Sequence, residues 1–123
     1  MLSRGENELL TQVGPGTPMG ELLRRYWYPI AAASELIEKP TKAVRMLGED
    51  LVLYRDKQGR PGLIGPQCAH RRMSMLLGFR EEGGLGCPYH GWLYDRAGKC
   101  LEQPYEQAED PGSTFKDRIR IPA

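Results

Sequence analysis

Between Cys68 and Trp92 the chain reads CAHRRMSMLLGFREEGGLGCPYHGW, a stretch holding two of the three cysteines and both histidines among 123 residues. Thiolate and imidazole are the best side-chain ligands for soft and borderline metals. Here they come as Cys-x-His and Cys-x-x-His with sixteen residues between them. In extended backbone, residues two apart point the same way, so Cys68 and His70 reach one target while Ala69 turns aside. Cys87 and His90 are three apart and need a tight turn, in which Pro88 fixes φ while Gly86 and Gly91 loosen the chain on either side. The pattern predicts one metal centre held by two loops, each offering a sulfur and a nitrogen. A tetrahedral Cys2His2 zinc site would use the same ligand types, but such sites favour paired cysteines followed by paired histidines, a different order. A metal-free core of four such residues would leave the flanking Pro and Gly without a purpose.

At this point the chain resembles the Rieske family, in which two cysteines hold one iron and two histidines the other iron of a 2Fe-2S cluster. CAHR, fifteen residues, then CPYHGW is similar to the version found in Rieske non-haem iron oxygenases, except that Arg72 stands where a Gly is common. The resemblance implies that Cys68 and Cys87 share one iron and that His70 and His90 share the other. Arg71, Tyr89 and Trp92 would flank the cluster, and Arg71 would favour its reduced form, while Arg72 reads as a solvated surface charge. Respiratory-chain Rieske proteins carry two further cysteines, joined as a disulfide, and a serine that hydrogen-bonds a cluster sulfide. The corresponding places here hold Met73, Tyr89 and Trp92. Hydrogen bonds to the sulfurs raise the potential, so the expected centre lies toward the low end of the Rieske range, roughly −150 mV. Each histidine would bind through one ring nitrogen and present the other to solvent or a partner.

The expected fold is all-β: small antiparallel sheets of Rieske type with a cluster-binding subdomain, preceded by a short helix. Residues 1–40 read as an N-terminal arm, and 41–123 as the Rieske domain, its cluster-binding part about 66–103. In the arm, Thr17 suits an N-cap and Pro18 the first helical position. Met19, Leu22, Leu23, Tyr26 and Trp27 fall on one apolar face, predicted to pack against core or interface before Pro29 ends the helix. The GTPMG and RYW runs here also resemble the oxygenase N-terminus. Beyond Pro40, strands are expected at Lys42 to Leu47 and Asp50 to Arg55 about a Gly48-Glu49 turn, then at Gly62 to Gly65 after a turn at Asp56 to Gly59. A turn at Glu81 to Gly84 precedes the second loop, and Trp92 to Tyr94 pairs with Lys99 to Glu102. Cys100, with no partner at ligand spacing, reads as a small buried residue. Gln103 to Ser113 reads as a surface loop, and Lys116 to Ile121 as a half-buried strand.

A formal net charge of +1 argues against nucleic acid and against an electrostatically held membrane site. The opening MLSRGENELL has no uninterrupted apolar run, so neither a signal peptide nor a spanning helix is expected. Three cysteines without disulfide-like spacing point to a reducing compartment, the cytoplasm. Oxygen activation in the resembled family uses a second, mononuclear iron(II) bound by two histidines and a carboxylate. Both histidines of this chain are committed to the cluster, so that iron is expected only in a catalytic domain that these residues do not include. The implied function is therefore one-electron carriage, as the front part of an aromatic-ring-hydroxylating oxygenase of phthalate or phenoxybenzoate dioxygenase type, with a Rieske ferredoxin as the alternative. The implied partners are a flavin-dependent reductase or ferredoxin as donor and the catalytic oxygenase domain as acceptor. The resemblance also implies a homo-oligomer, and a chain ending at Ala123 would leave a strand edge free to associate.

Overall fold

The structure, a computed structural model, describes residues 1–123. Thr41–Met46 (β1), Glu49–Arg55 (β2) and Pro61–Ile64 (β3) form an antiparallel sheet in chain order. Phe79–Glu81 (β4), Gly84–Gly86 (β5), Leu93–Tyr94 (β6) and Cys100–Glu102 (β7) form a second, also a simple meander. The β1–β2 turn falls on Leu47 and Gly48, one residue before the expected place. Met46 pairs with Glu49, and the two turn residues take φ of 48° and 80°. A two-residue hairpin matches strand twist only with both central residues left-handed, and that requirement places the glycine second.

The sheets meet over one core. Val52, Tyr54 and Ile64 come from the first and Leu85, Tyr94 and Cys100 from the second, with Trp92, Met75 and Ile121 filling between them. Cys68 and Cys87 belong to the same buried cluster. The prospective ligands are therefore anchored where each large side chain contributes about 2 kcal/mol of burial. Close approach of β5 to β6 depends on Gly84, where an added Cβ would lie 2.0 Å from the Tyr94 carbonyl oxygen.

Four short helices surround the sheets, and only one was expected. Arg4–Thr11 (α1) begins with a reciprocal Ser3–Glu6 capping box, a signal visible in the sequence. Pro18–Leu23 (α2) starts as expected, with Thr17 capping Gly20. It stops at Leu23, however, and its expected apolar face packs only in part on this chain, with Met19 and Leu23 half-buried. Leu22 is 45% exposed, Tyr26 63% and Trp27 fully, and only Gly20 is buried. A polar tether holds the arm to the sheet: the Arg24 guanidinium donates to the Val13 and Leu47 carbonyls and to the Glu49 carboxylate, at 3.0, 3.1 and 2.6 Å. Glu35–Glu38 (α3) is a single turn before β1.

Two C-terminal readings are corrected. The segment 103–113 contains a helix, Pro104–Glu109 (α4), with Pro104 at its first position and the Gln107 side chain accepting from the Gln103 N–H at 2.8 Å. Its Pro and acidic residues are helix-start chemistry as much as loop chemistry. Lys116 to Ile121 is not a strand. Phe115–Arg118 is a 3-10 turn, after which only Arg120 bridges, to Lys99. The alternation still holds where it matters, because Ile119 packs on the core and Ile121 lies within it.

Candidate metal centre

The two loops share one hydrogen-bonding plan. In the first, the Cys68 N–H donates to the Met73 carbonyl at 2.9 Å and the Arg72 N–H returns to the Cys68 carbonyl at 2.9 Å. In the second, the Cys87 N–H donates to the Trp92 carbonyl at 2.9 Å and the Gly91 N–H returns to the Cys87 carbonyl at 3.0 Å. Each loop therefore closes over the five residues that follow its cysteine, and each needs a left-handed residue in fourth place. These are Arg72, with φ 58°, and Gly91, with φ 74°. The position where the motif commonly has glycine is thus one where the backbone asks for it, and Arg72 occupies it under strain. Its Nε donates to Gln67 Oε1 at 3.0 Å.

The four predicted side chains come together in like pairs. Both cysteines are buried and free, at 1% and 2% exposure. Burial pushes the Cys87 thiol up, its amide neighbours Tyr89 and His90 pull it partly back, and the adjacent Cys68 thiol raises it further. The His70 and His90 rings are 4.6 Å apart. Their Nδ1 atoms are buried without any hydrogen-bond partner, an arrangement proteins avoid unless the atom has another use. No three His, Cys, Asp or Glu side chains close on one point as the ligands of a single ion do. Two buried thiols beside two imidazoles with orphaned inner nitrogens fit a binuclear group with separate thiolate and imidazole ends, and bound metal would hold the thiols ionised.

Among the flanking residues, Arg71 is exposed and makes no ion pair. The Tyr89 ring lies 3.9 Å from His90, and the Trp92 indole stacks on His70 at 4.7 Å with planes 8° apart. Two neighbours escaped the sequence reading. The Tyr94 hydroxyl reaches Cys68 Sγ at 3.3 Å, and Glu106 accepts from Trp92 Nε1 at 3.3 Å. Tyr94 was findable: strand alternation from Trp92 puts both rings on one face. Glu106 reads in the sequence as a surface charge on a loop, and only the α4 helix brings it to Trp92. Cys100 is fully buried on β7, where burial first and Cys68 second push its thiol up to about 11.

Small antiparallel sheets presenting two cysteine–histidine loops side by side, thiols paired with thiols and imidazoles with imidazoles, define an iron–sulfur type of domain. A family model described as the Rieske 2Fe-2S domain matches residues 26–117, and the chain belongs to that family. It is 54% identical over 123 residues to the 5,5'-dehydrodivanillate O-demethylase oxygenase subunit of Sphingobium sp. (strain NBRC 103272 / SYK-6), a match covering all of this chain and 29% of that protein. It is 55% identical over 113 residues to the phenoxybenzoate dioxygenase subunit alpha of Ectopseudomonas oleovorans, covering 92% of this chain and 27% of that one. Among solved structures, Pseudomonas putida CBB5 NdmA with caffeine superposes with a TM-score of 0.68 at 31% identity, over 83% of this chain and 30% of that one. The chain thus spans less than a third of the length of these relatives. No helix is long and apolar enough to cross a membrane.

Proposed function

We propose that this chain carries single electrons through a Rieske 2Fe-2S cluster, with Cys68 and Cys87 on one iron and His70 and His90 on the other, as the electron-accepting part of an aromatic-ring-hydroxylating oxygenase. The observation that carries the ligand set is the pair of buried, partnerless Nδ1 atoms beside two buried thiols. When bound, the cluster supplies one-electron redox chemistry. The chain's own work is to hold four ligands in two rigid loops, keep water from the sulfurs and leave the histidine end nearer the surface. Cys68 and Cys87 are almost fully buried, whereas His70 and His90 are only half-buried. That asymmetry favours the imidazole side as the place where an electron leaves.

Support for an oxygenase parent comes from relatives named as oxygenase subunits that match nearly the whole of this chain. On that reading the donor is a flavin-dependent reductase or a ferredoxin and the acceptor is a catalytic domain. Any mononuclear iron site of the parent is built from residues outside these 123, since this assignment uses both histidines. The unpaired cysteines suit a cytoplasmic setting, residues 1–40 serve as an arm to the domain at 41–123, and copies associate in the parent. The test is an anaerobic iron and sulfide assay with EPR of the reduced protein. About two irons and two sulfides per chain with a Rieske signal are expected. A colourless, EPR-silent protein binding one zinc would overturn the reading.

A further inference from the structure

Three consecutive residues open α4 and all three bear on the second loop. An added Cβ at Gly91 would meet Pro104 Cγ at 3.1 Å, the Tyr105 ring stands edge-on to His90 at 6.1 Å, and Glu106 accepts from Trp92 Nε1 at 3.3 Å. Trp92 is 3% exposed and lies nearly parallel to His70, at 4.7 Å and 8°. A parallel stack alone leaves an indole free to slide across its neighbour. A buried indole N–H also requires an acceptor, and Glu106 is the one it has. With its N–H anchored, the indole becomes a fixed wall against one face of the His70 ring.

We propose that Glu106 is a positioning residue for the metal centre: by anchoring the Trp92 indole it fixes the orientation of the His70 imidazole, and with it the electronic environment of the histidine-bound iron. Groups that orient a ligating imidazole from outside tune the metal it holds. A carboxylate separated from the His70 ring by the indole also opposes an added electron through its own charge. The two contributions separate by substitution. Glu106→Gln keeps an oxygen that can accept from the indole but removes the charge, whereas Glu106→Leu removes both. The inference rests on the assignment of His70 as a ligand.

The experiment uses the cluster-loaded protein, reading the EPR line shape and reduction midpoint of wild type, Glu106→Gln, Glu106→Leu, Trp92→Phe and the Glu106→Leu/Trp92→Phe double variant. Glu106→Gln is expected to keep the wild-type line shape with a midpoint moved upward. Glu106→Leu is expected to change both, and in the Trp92→Phe background to change the line shape no further. Cluster loss in Glu106→Leu with normal loading of Glu106→Gln also supports the role, while loss in both overturns it. Glu106→Leu with the wild-type line shape overturns it, as does an equal line-shape change with and without the indole. A wild type with no Rieske signal fails the underlying ligand assignment, a result distinct from each of these.

Discussion

The Tyr94 hydroxyl stands 3.3 Å from Cys68 Sγ while its oxygen accepts from the Ala69 N–H at 3.2 Å. The amide occupies an acceptor site on the oxygen, so the hydroxyl proton is free to point at the sulfur. Burial first, and the hydrogen bond to Cys68 second, push the Tyr94 hydroxyl far above its ordinary value, so it stays protonated. On the proposed ligand set this donor, which comes from β6 instead of from a loop, would offset the low potential expected from Met73, Tyr89 and Trp92. Tyr94→Phe should lower the midpoint potential, because hydrogen bonds to cluster sulfurs favour the reduced state. Redox titration of the loaded domain decides this, and an unchanged midpoint would show that the hydroxyl does not reach the sulfur.

Arg72 is the counterpart of Gly91, and its φ of 58° is one that only glycine adopts without strain. Arg72→Gly should stabilise the loaded domain by about 1 kcal/mol, less the small value of an exposed hydrogen bond to Gln67. Arg72→Val should destabilise it by at least as much, because a β-branched residue fits this region worst. Thermal unfolding of the pair reads the contrast. If Gly and Val behave alike, the strain is not there.

Tyr54 makes the opposite case to Tyr94. It is fully buried beside Gly62, and its hydroxyl has no partner. Burial, then the charge of Asp56, push the hydroxyl up to about 12. Tyr54→Phe removes an unsatisfied polar atom and leaves a void no larger than the hydroxyl, and should be neutral or stabilising by up to about 1 kcal/mol. A clear loss of stability in denaturant titration would mean that the hydroxyl has a partner after all. In the wild type, absorbance titration should find Tyr54 ionising only near pH 12 or on unfolding.

The gathering of Cys68, His70, Cys87 and His90 and the strands around them were legible because they rest on local chemistry: paired Cys and His at ligand spacing, turn glycines, and period-two alternation. The arm was misread because Met19 to Trp27 has helical periodicity, yet the helix stops at Leu23 and the element is held by Arg24 through polar contacts that no hydrophobic pattern reports. The α4 segment was misread because Pro and acidic residues mark loops and helix starts alike. Tyr94 and Glu106 were missed for a different reason. Each serves a residue on another element, a relation that exists only once the sheets have closed.

Asp56 ties the β2–β3 turn to Arg60. Its carboxylate is fully buried and accepts from the Arg60 N–H at 2.8 Å and from Arg60 Nε at 2.9 Å. Burial alone would raise its pKa, but the Arg60 amide and guanidinium together outweigh that, and the folded-state value is lowered. A carboxyl that holds its proton less readily when folded stabilises the fold fully above its unfolded pKa, about 3.9, and loses that contribution as pH falls through the lower folded value. Asp56→Asn should therefore cost about 1 to 2 kcal/mol at neutral pH. The figure is discounted because the Arg60 side chain is 43% exposed and screened by solvent. Denaturant midpoints of the two proteins should stand apart from neutral pH down to about 4 and then converge in stronger acid. A gap that stays constant across that range would mean the substitution acts through packing and not through the charge of Asp56.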